Sequence, residues 1–283
     1  MSFLFRFASR FVAGEQVEQA MTAVQKLNSQ GLTASLDILG ENVHDKVTAG
    51  RAVEGYLNLL QQIHRAEIDS NISVKLTMTG LDIGDDLCFE NMCRICESAR
   101  SLNNYVRIDM EGSAYTERTL KVFFRLHAKY PGVVGAVIQA YLHRSSDDID
   151  ALNAVGARVR LCKGAYKEPP SAAIQKMRDI RTNYKRLAEK LFLKGVYPGI
   201  ATHDDQLIHW TRDFVAAHGI RNDQFEFQML YGIRPGTQKA LVRGGHRMRV
   251  YVPFGTHWAP YFYRRLRERK ENVWFIVSNM FKG

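Results

Sequence analysis

The chain has 283 residues, enough for two average domains or one large α/β barrel. Apolar residues make up 46% and charged residues 24%, which is a globular composition. The mean hydropathy is −0.26, and no run approaches the 18 apolar residues of a membrane span. These values exclude an integral membrane protein, a collagen and a small secreted scaffold.

The charge balance predicts an anionic partner. Lys and Arg number 39 against 29 Asp and Glu, a formal net charge of +10, and the excess is concentrated between Arg243 and Lys270. Such a balance is typical of proteins that meet nucleic acid, a phosphate-bearing cofactor, a carboxylate substrate or an acidic membrane surface.

The first twelve residues are aromatic and basic. They lack a continuous apolar core and a cleavage site, which argues against a secretory signal. A helix docked on the fold is the favoured interpretation, and a targeting or membrane-touching segment is the alternative.

The remaining sequence alternates short β-rich runs with longer amphipathic stretches. We predict strands at 32–39, 72–77, 105–110, 133–140, 158–162, 198–202, 225–230 and 248–253. We predict the following helices at about 43–66, 85–102, 116–129, 146–154, 171–195, 205–218, 235–244 and 258–270. Eight strand–helix units indicate an α/β fold of the (β/α)8 barrel type, with extra terminal helices at about 1–30 and 273–283. The prediction is one domain over 1–283 with a barrel core at about 31–272.

No glycine-rich dinucleotide motif or phosphate-binding loop motif supports a doubly wound sheet. The cysteine spacing Cys88-x4-Cys93-x2-Cys96 suggests an iron–sulfur site, whose fourth ligand would be the distant Cys162. The same cysteines recur at helical spacing in a segment without Gly or Pro, so reduced cysteines buried on a helix are the favoured interpretation.

Polar residues gather where the predicted strands end, which is where barrel enzymes carry their chemistry. They are Asp37, Glu41, Lys75, Thr77, Asp109, Glu111, Gln139, Arg160, Lys163, Thr202, His203, Glu226, Gln228 and Tyr251. Any one of them can be a paired ion inside the barrel, but their convergence on one rim predicts a binding cavity.

Three local patterns refine this expectation. Lys75 and Asp109 can neutralise each other and leave an ammonium that meets an anion. The small residues Gly164 and Ala165 follow Lys163, where backbone N–H groups can approach a phosphate or a ring edge. The Thr202-His203-Asp204 run places an N-cap and an anion-binding helix terminus at the same rim.

The last predicted helix brings four residues to one face. Tyr261, Arg264, Arg265 and Glu268 follow the i, i+3, i+4, i+7 spacing. Two adjacent guanidinium groups suit bidentate binding of a carboxylate, and Glu268 can hold them in place. A solvated charged face is the alternative. No pair of histidines has metal-ligand spacing and no nucleophile elbow occurs, so we predict no metal site.

These motifs together resemble the proline dehydrogenase family. The matching motifs are Ser-Val-Lys75-Leu-Thr, Arg-Ile-Asp109-Met-Glu, Ile-Gln139-Ala-Tyr-Leu, Arg160-Leu-Cys-Lys163-Gly-Ala-Tyr166, Ala-Thr202-His203-Asp, Phe-Glu-Phe-Gln228 and Tyr261-x-x-Arg264-Arg265-x-x-Glu268. They occur in family order over about residues 31–272. The resemblance implies a distorted (β/α)8 barrel that holds noncovalent FAD, oxidises L-proline to 1-pyrroline-5-carboxylate by hydride transfer and passes electrons to a membrane quinone.

The resemblance also implies a role for each matching residue. Asp109 and Arg160 would be the catalytic residues, Asp109 by positioning Lys75 and Arg160 by tuning the flavin. The proline-binding residues would be Lys75, Tyr251, Tyr261, Arg264, Arg265 and Glu268. The FAD-binding residues would be Met110, Gln139, Arg160, Lys163, Gly164, Ala165, Thr202, His203 and Gln228.

No aldehyde dehydrogenase domain follows the barrel, so we expect a separate pyrroline-5-carboxylate dehydrogenase to take the product. We expect a cytoplasmic enzyme that can touch the inner face of the membrane as a peripheral protein. The alternatives are a hydroxyproline dehydrogenase, another flavin amine oxidase and, more distantly, a nucleic-acid-binding protein. A Tyr251 packed on the substrate ring would disfavour hydroxyproline, and the basic surface lacks the stacking aromatics of a nucleic-acid module.

Overall fold

A computed structural model describes residues 8–268, with the side chains of 264–268 outside that description. Eight parallel strands form a closed barrel in which each strand pairs with the next in sequence and the last pairs with the first. The strands are β1 Thr33–Ile38, β2 Ser70–Val74, β3 Val106–Ile108, β4 Val134–Gln139, β5 Arg158–Cys162, β6 Val196–Ala201, β7 Glu226–Leu230 and β8 Met248–Phe254. The predicted (β/α)8 barrel is therefore confirmed.

The described residues also form nine α-helices. They are α1 Val17–Asn28, α2 Lys46–Arg65, α3 Asp85–Ser101, α4 Ser113–Lys129, α5 Ser145–Ala154, α6 Met177–Lys194, α7 Asp205–Ala217, α8 Pro235–Arg243 and α9 Trp258–Glu268. The helix predicted from residue 171 begins only at Met177. Its first part is turn structure, because Pro169 and Pro170 precede it and the Ile174 amide donates to the carbonyl of Tyr141, 2.7 Å away.

The ends of the chain depart from the regular barrel. Helix α1 packs against β1 and β8, so it takes the place in the outer ring that the helix after β8 would occupy. Helix α9 instead contributes Tyr261 and Phe262 to a small apolar cluster with Phe11 of the N-terminal segment and with Leu39 and Ile233, which follow β1 and β7. The last helix therefore lies over the carboxyl ends of the strands rather than beside them.

Side-chain alternation along the strands separates an apolar shell from a polar interior. In β1, Ala34 and Leu36 belong to the apolar core, whereas Ser35 and Asp37 make hydrogen bonds or ion pairs with residues of other strands. Because strand side chains alternate between the two faces, one face of each strand packs on the helices and the other lines the barrel. The interior residues are thus positioned by eight different strands.

The cysteine cluster belongs to the helical shell. Cys88 and Cys96 are buried in α3, and burial raises the pKa of each thiol to about 12. None of the four cysteines, all of which lie in the described part of the chain, forms a disulfide. The helix geometry agrees with the favoured interpretation of buried thiols, since a cluster-binding loop is irregular. Between residues 8 and 268, the structure contains no helix with the length and apolar character of a transmembrane span.

Candidate active site

A cavity of about 360 Å³ opens at the carboxyl ends of the strands. Twelve residues predicted for the site line it: Lys75, Asp109, Met110, Arg160, Lys163, Gly164, Ala165, Thr202, His203, Gln228, Tyr251 and Tyr261. Gln139 ends β4 and is buried without lining the cavity. Arg264, Arg265 and Glu268 belong to α9, but their side chains lie outside the described residues.

Lys75 is held by a different carboxylate from the one expected. Its ammonium lies 2.9 and 2.8 Å from the two oxygens of Asp37, which is fully buried, and 4.0 Å from Asp109. Burial lowers the pKa of Lys75, but the attraction of Asp37 and then Asp109 outweighs burial, so the pKa lies above its ordinary value. Asp37 is therefore the main partner of a lysine that stays protonated, and Asp109 is secondary.

Asp109 joins three groups of the cavity wall. It accepts hydrogen bonds from Arg160 Nη1 at 2.7 Å, Tyr251 Oη at 2.8 Å and Ser73 Oγ at 2.6 Å. Burial, with Asp109 and Asp37 nearby, raises the pKa of Tyr251 well above its ordinary value, so its phenol remains a donor. The Arg160 guanidinium also lies 5.3 Å from the centroid of the Tyr251 ring. Asp109 thus fixes a cation and an aromatic ring side by side.

A second ion cluster stands where β6 leads into α7. Asp204 caps α7 by accepting from the Gln206 amide, and it pairs with Lys163 at 3.0 Å and with Arg181 at 2.7 Å. Burial raises the pKa of Asp204, but the hydrogen bonds and positive charges of Arg181 and Lys163 outweigh burial, so the pKa lies below its ordinary value. The carboxylate holds Lys163 at the cavity rim.

Glycine is required at position 164 for a steric reason, in addition to the predicted approach of a ligand to the backbone. Its φ is +111°, and a Cβ there would lie 2.2 Å from the ring of Tyr141. Any side chain would strain the backbone and displace the tyrosine that supports the turn. The turn after β5 therefore stays narrow at the cavity mouth.

Two further groups have defined hydrogen-bonding roles. The Gln139 amide donates to the carbonyls of Met110 and Glu111, so its Oε1 faces away from them, and this buried oxygen has no partner among the described residues. The Leu230 amide donates to His203 Nε2 at 2.9 Å, which places the proton of a neutral His203 ring on Nδ1.

Several site residues were absent from the predicted site set. The additional cavity lining consists of Val137, Cys162, Tyr166, Met177, Ala201, Met229 and Leu230. Asp37 and Ser73 hold the charged wall from beneath it. Asp37 was named among the polar strand ends, but its role as the partner of Lys75 was not predicted. The apolar lining residues carry no distinguishing signal in the sequence.

Part of the basic excess near the C-terminus has a structural role. The buried Glu226 carboxylate accepts from Arg249 Nε at 2.8 and 3.0 Å. Arg247 donates to Tyr197 Oη at 3.2 Å. Arg247 and Arg249 are thus engaged by other residues of the barrel. The number of basic residues that an anionic ligand can contact is therefore smaller than the sequence suggests.

Comparison with known proteins identifies the family. A family model described as proline dehydrogenase matches residues 20–278. The chain belongs to the proline dehydrogenase family. Proline dehydrogenase 2 of Bacillus subtilis strain 168 is 42% identical over 275 residues, which cover 97% of this chain and 90% of that protein. The proline dehydrogenase of Deinococcus radiodurans is 39% identical over 284 residues, covering 99% and 92%.

The proline dehydrogenase fold is also found within longer proteins. Proline utilization A (PutA) of Bdellovibrio bacteriovorus, in a structure inactivated by N-propargylglycine, superposes with a TM-score of 0.86 at 25% identity. The match covers 93% of this chain and 32% of that one. The chain therefore spans about a third of the PutA chain. The family membership and the level of identity support proline dehydrogenase activity.

Proposed function

We propose that the enzyme oxidises L-proline to 1-pyrroline-5-carboxylate, with FAD as hydride acceptor and a quinone as the final electron acceptor. The observation that carries the proposal is the cavity wall formed by Lys75, Asp109, Arg160 and Tyr251. It offers a protonated amine, a guanidinium and a phenol ring in one buried place. This set suits an amino acid whose carboxylate needs a cation and whose ring needs an apolar face.

The residues present fit a flavin cofactor. The unpartnered buried Oε1 of Gln139 is an acceptor that an N–H group of a bound ligand can satisfy. Lys163 supplies a cation at the narrow turn formed by Gly164. FAD when bound supplies the hydride acceptor, and the protein supplies orientation and charge. The residues proposed to hold it are Met110, Gln139, Arg160, Lys163, Gly164, Ala165, Thr202, His203 and Gln228.

The proposed substrate side is organised by charge. Lys75 stays protonated because Asp37 and Asp109 flank it, so it can attract the proline carboxylate without changing its own protonation state. Arg264, Arg265 and Glu268 of α9 are proposed to complete the carboxylate site, by family resemblance. Tyr251 is fixed by its hydrogen bond to Asp109, so its ring can limit the space around the substrate.

The proposal extends to the partners of the reaction. Electrons pass to a quinone, and the product passes to a separate pyrroline-5-carboxylate dehydrogenase. A quinone is lipid-soluble, so we place the enzyme in the cytoplasm with peripheral contact at the inner membrane face. Nucleic acid has no part in this function.

The test is the visible spectrum of the purified protein before and after anaerobic addition of L-proline. We expect a flavin spectrum that bleaches with L-proline and does so far more slowly with trans-4-hydroxy-L-proline, because the Tyr251 ring leaves little space for a hydroxyl. The matched variant Lys75→Met should keep the flavin spectrum and need much more proline for bleaching. A colourless protein refutes the FAD assignment, and a flavin that hydroxyproline bleaches faster refutes the substrate assignment.

A further inference from the structure

Arg160 is buried in the cavity wall with a fixed guanidinium orientation. Its Nη1 donates to Asp109 at 2.7 Å and to Ser73 at 3.2 Å, and its Nε donates to Gln228 Oε1 at 2.6 Å. The Nε contact comes from β7, which carries Gln228 and is separated from β5 by one strand. Arg160 Nε therefore keeps its acceptor only if the Gln228 amide presents its oxygen rather than its NH2 group.

Glu226 decides which way that amide points. Residues 226 and 228 share the inward face of β7, and Gln228 Nε2 lies 2.5 Å from Glu226 Oε1. An ionised carboxylate only accepts hydrogen bonds, so the amide must turn its NH2 group toward Glu226. Its oxygen then faces Arg160 Nε. A flipped amide would set two oxygens against each other at Glu226 and two donors against each other at Arg160.

The carboxylate itself is locked in place. Glu226 is buried and accepts from Arg249 Nε at 2.8 and 3.0 Å. Burial raises the pKa of Glu226, but Arg249 outweighs burial, so the pKa lies below its ordinary value and the group stays ionised. Gly199 of β6 leaves the necessary space, because a Cβ there would lie 2.6 Å from Gln228 Nε2.

We propose that Glu226, a buried carboxylate beneath the cavity, is a positioning residue that sets the orientation of Arg160 through the amide of Gln228. The inference rests on the proposed function only in the effect of Arg160 on the flavin. The orientation of Arg160 by Glu226 and Gln228 does not depend on any cofactor. Glu226 is thus linked to the reaction across two side chains and without contact to substrate or cofactor.

The experiment compares two variants of the same buried ion pair. Glu226→Gln removes the ion pair and replaces an acceptor-only carboxylate by an amide that can also donate, so the orientation of Gln228 is no longer fixed. Arg249→Lys alters the pair but keeps a cation beside Glu226, so the ionised carboxylate keeps its contact to Gln228. The first readout is the hydrogen exchange rate of Arg160 Nε–H, measured by NMR on the full chain as purified and assigned with Arg160→Lys. The second is the limiting rate of flavin reduction at saturating L-proline, with the KM for proline measured alongside.

We expect Glu226→Gln to speed exchange at Arg160 Nε and slow flavin reduction, each by about fivefold to tenfold, the loss of one buried hydrogen bond. The KM should change less than the rate, and Arg249→Lys, which keeps a cation beside Glu226, should leave both readouts close to wild type. Adding Glu226→Gln to Gln228→Met should have no further effect on either readout, because the proposed path runs through that amide.

Gly199→Ala keeps Glu226 and Arg249 paired, displaces the Gln228 amide and should also speed exchange, which provides the test if Glu226→Gln does not fold. Unchanged exchange in Glu226→Gln, equal changes in Arg249→Lys, or additive effects in the double variant would each overturn the inference. A wild-type protein that proline does not reduce would refute the proposed function, while the arginine exchange would still decide the role of Glu226.

Discussion

Replacement of Asp37 by Asn tests whether this carboxylate is the main partner of Lys75. Asp37 is fully buried and its oxygens lie 2.8 and 2.9 Å from the Lys75 ammonium, whereas Asp109 lies at 4.0 Å. By Coulomb's law the attraction at 2.8 Å is about 1.4 times that at 4.0 Å. Asp109 also pairs with Arg160, so it can compensate only part of the lysine charge.

Breaking a buried ion pair costs about 3–5 kcal/mol, and the residual attraction of Asp109 places Asp37→Asn near 3 kcal/mol. The free energy of unfolding from urea titration should fall by about this amount, and Tm by roughly 6–12 °C. The matched control is Asp86→Asn, which breaks an ion pair of 2.8 Å with Arg125 at a carboxylate that is 85% exposed. It should leave Tm unchanged.

The pH dependence gives an independent check. In the wild type, the pKa of Lys75 lies above its ordinary value, so the contribution of the protonated lysine is fully present below about pH 10.4, the ordinary lysine pKa, and is lost at higher pH. Burial raises the pKa of Asp37, so this carboxyl takes up its proton at a higher pH than an ordinary aspartate. In Asp37→Asn, we expect burial to outweigh Asp109 and to lower the pKa of Lys75, so stability should rise as the pH increases toward 10. Adding Lys75→Met should restore most of the loss. A variant no less stable than Asp86→Asn, or a double variant no more stable than Asp37→Asn, would refute the assignment.

Four further outcomes are expected. Gly164→Ala should lower Tm and flavin content because of its φ of +111° and the tyrosine ring beside it, while the control Gly236→Ala, which has open space around its Cβ, should lose neither. The depressed pKa of Asp204 stabilises the fold above the ordinary carboxyl range, so the wild type should lose that contribution as pH falls toward 3, and Asp204→Asn should show a shallower decline of Tm with acid. Arg265→Met should keep FAD and raise the KM for proline by about tenfold or more in steady-state assays, the cost of a charged bidentate contact, and an unchanged KM would contradict the carboxylate assignment. Segments 3–7 and 273–282, outside the described residues, combine aromatic with basic residues, so the protein should co-sediment weakly with anionic liposomes at low salt and less at high salt. Equal recovery in the supernatant with anionic and neutral liposomes at both salt concentrations would contradict the membrane contact.

The barrel architecture can be predicted from the residue pattern. Alternation such as Ala34, Ser35, Leu36, Asp37 fixes which face of a strand meets the helices, because apolar side chains must leave water and strand geometry has a period of two. Eight such strands with intervening amphipathic stretches leave few other arrangements. The barrel prediction also implies where the polar residues at the strand ends lie, since parallel strands bring their carboxyl ends to one rim. The first residue of a helix is harder to predict where a turn precedes the helix. The helix predicted from residue 171, for example, begins at Met177.

The pairing of the polar groups inside the barrel cannot be predicted from the residue pattern. The sequence predicts Asp109 as the partner of Lys75, whereas the register between β1 and β2 brings Asp37 to 2.8 Å from the ammonium. The link from Glu226 through Gln228 to Arg160 joins β7 to β5, and it depends on the register of these strands. The placement of α1 beside both β1 and β8 requires the closed barrel. Sequence periodicity reports the face on which a residue lies. The distance between two inward side chains depends on strand register and barrel closure, which arise from contacts among residues far apart in the chain.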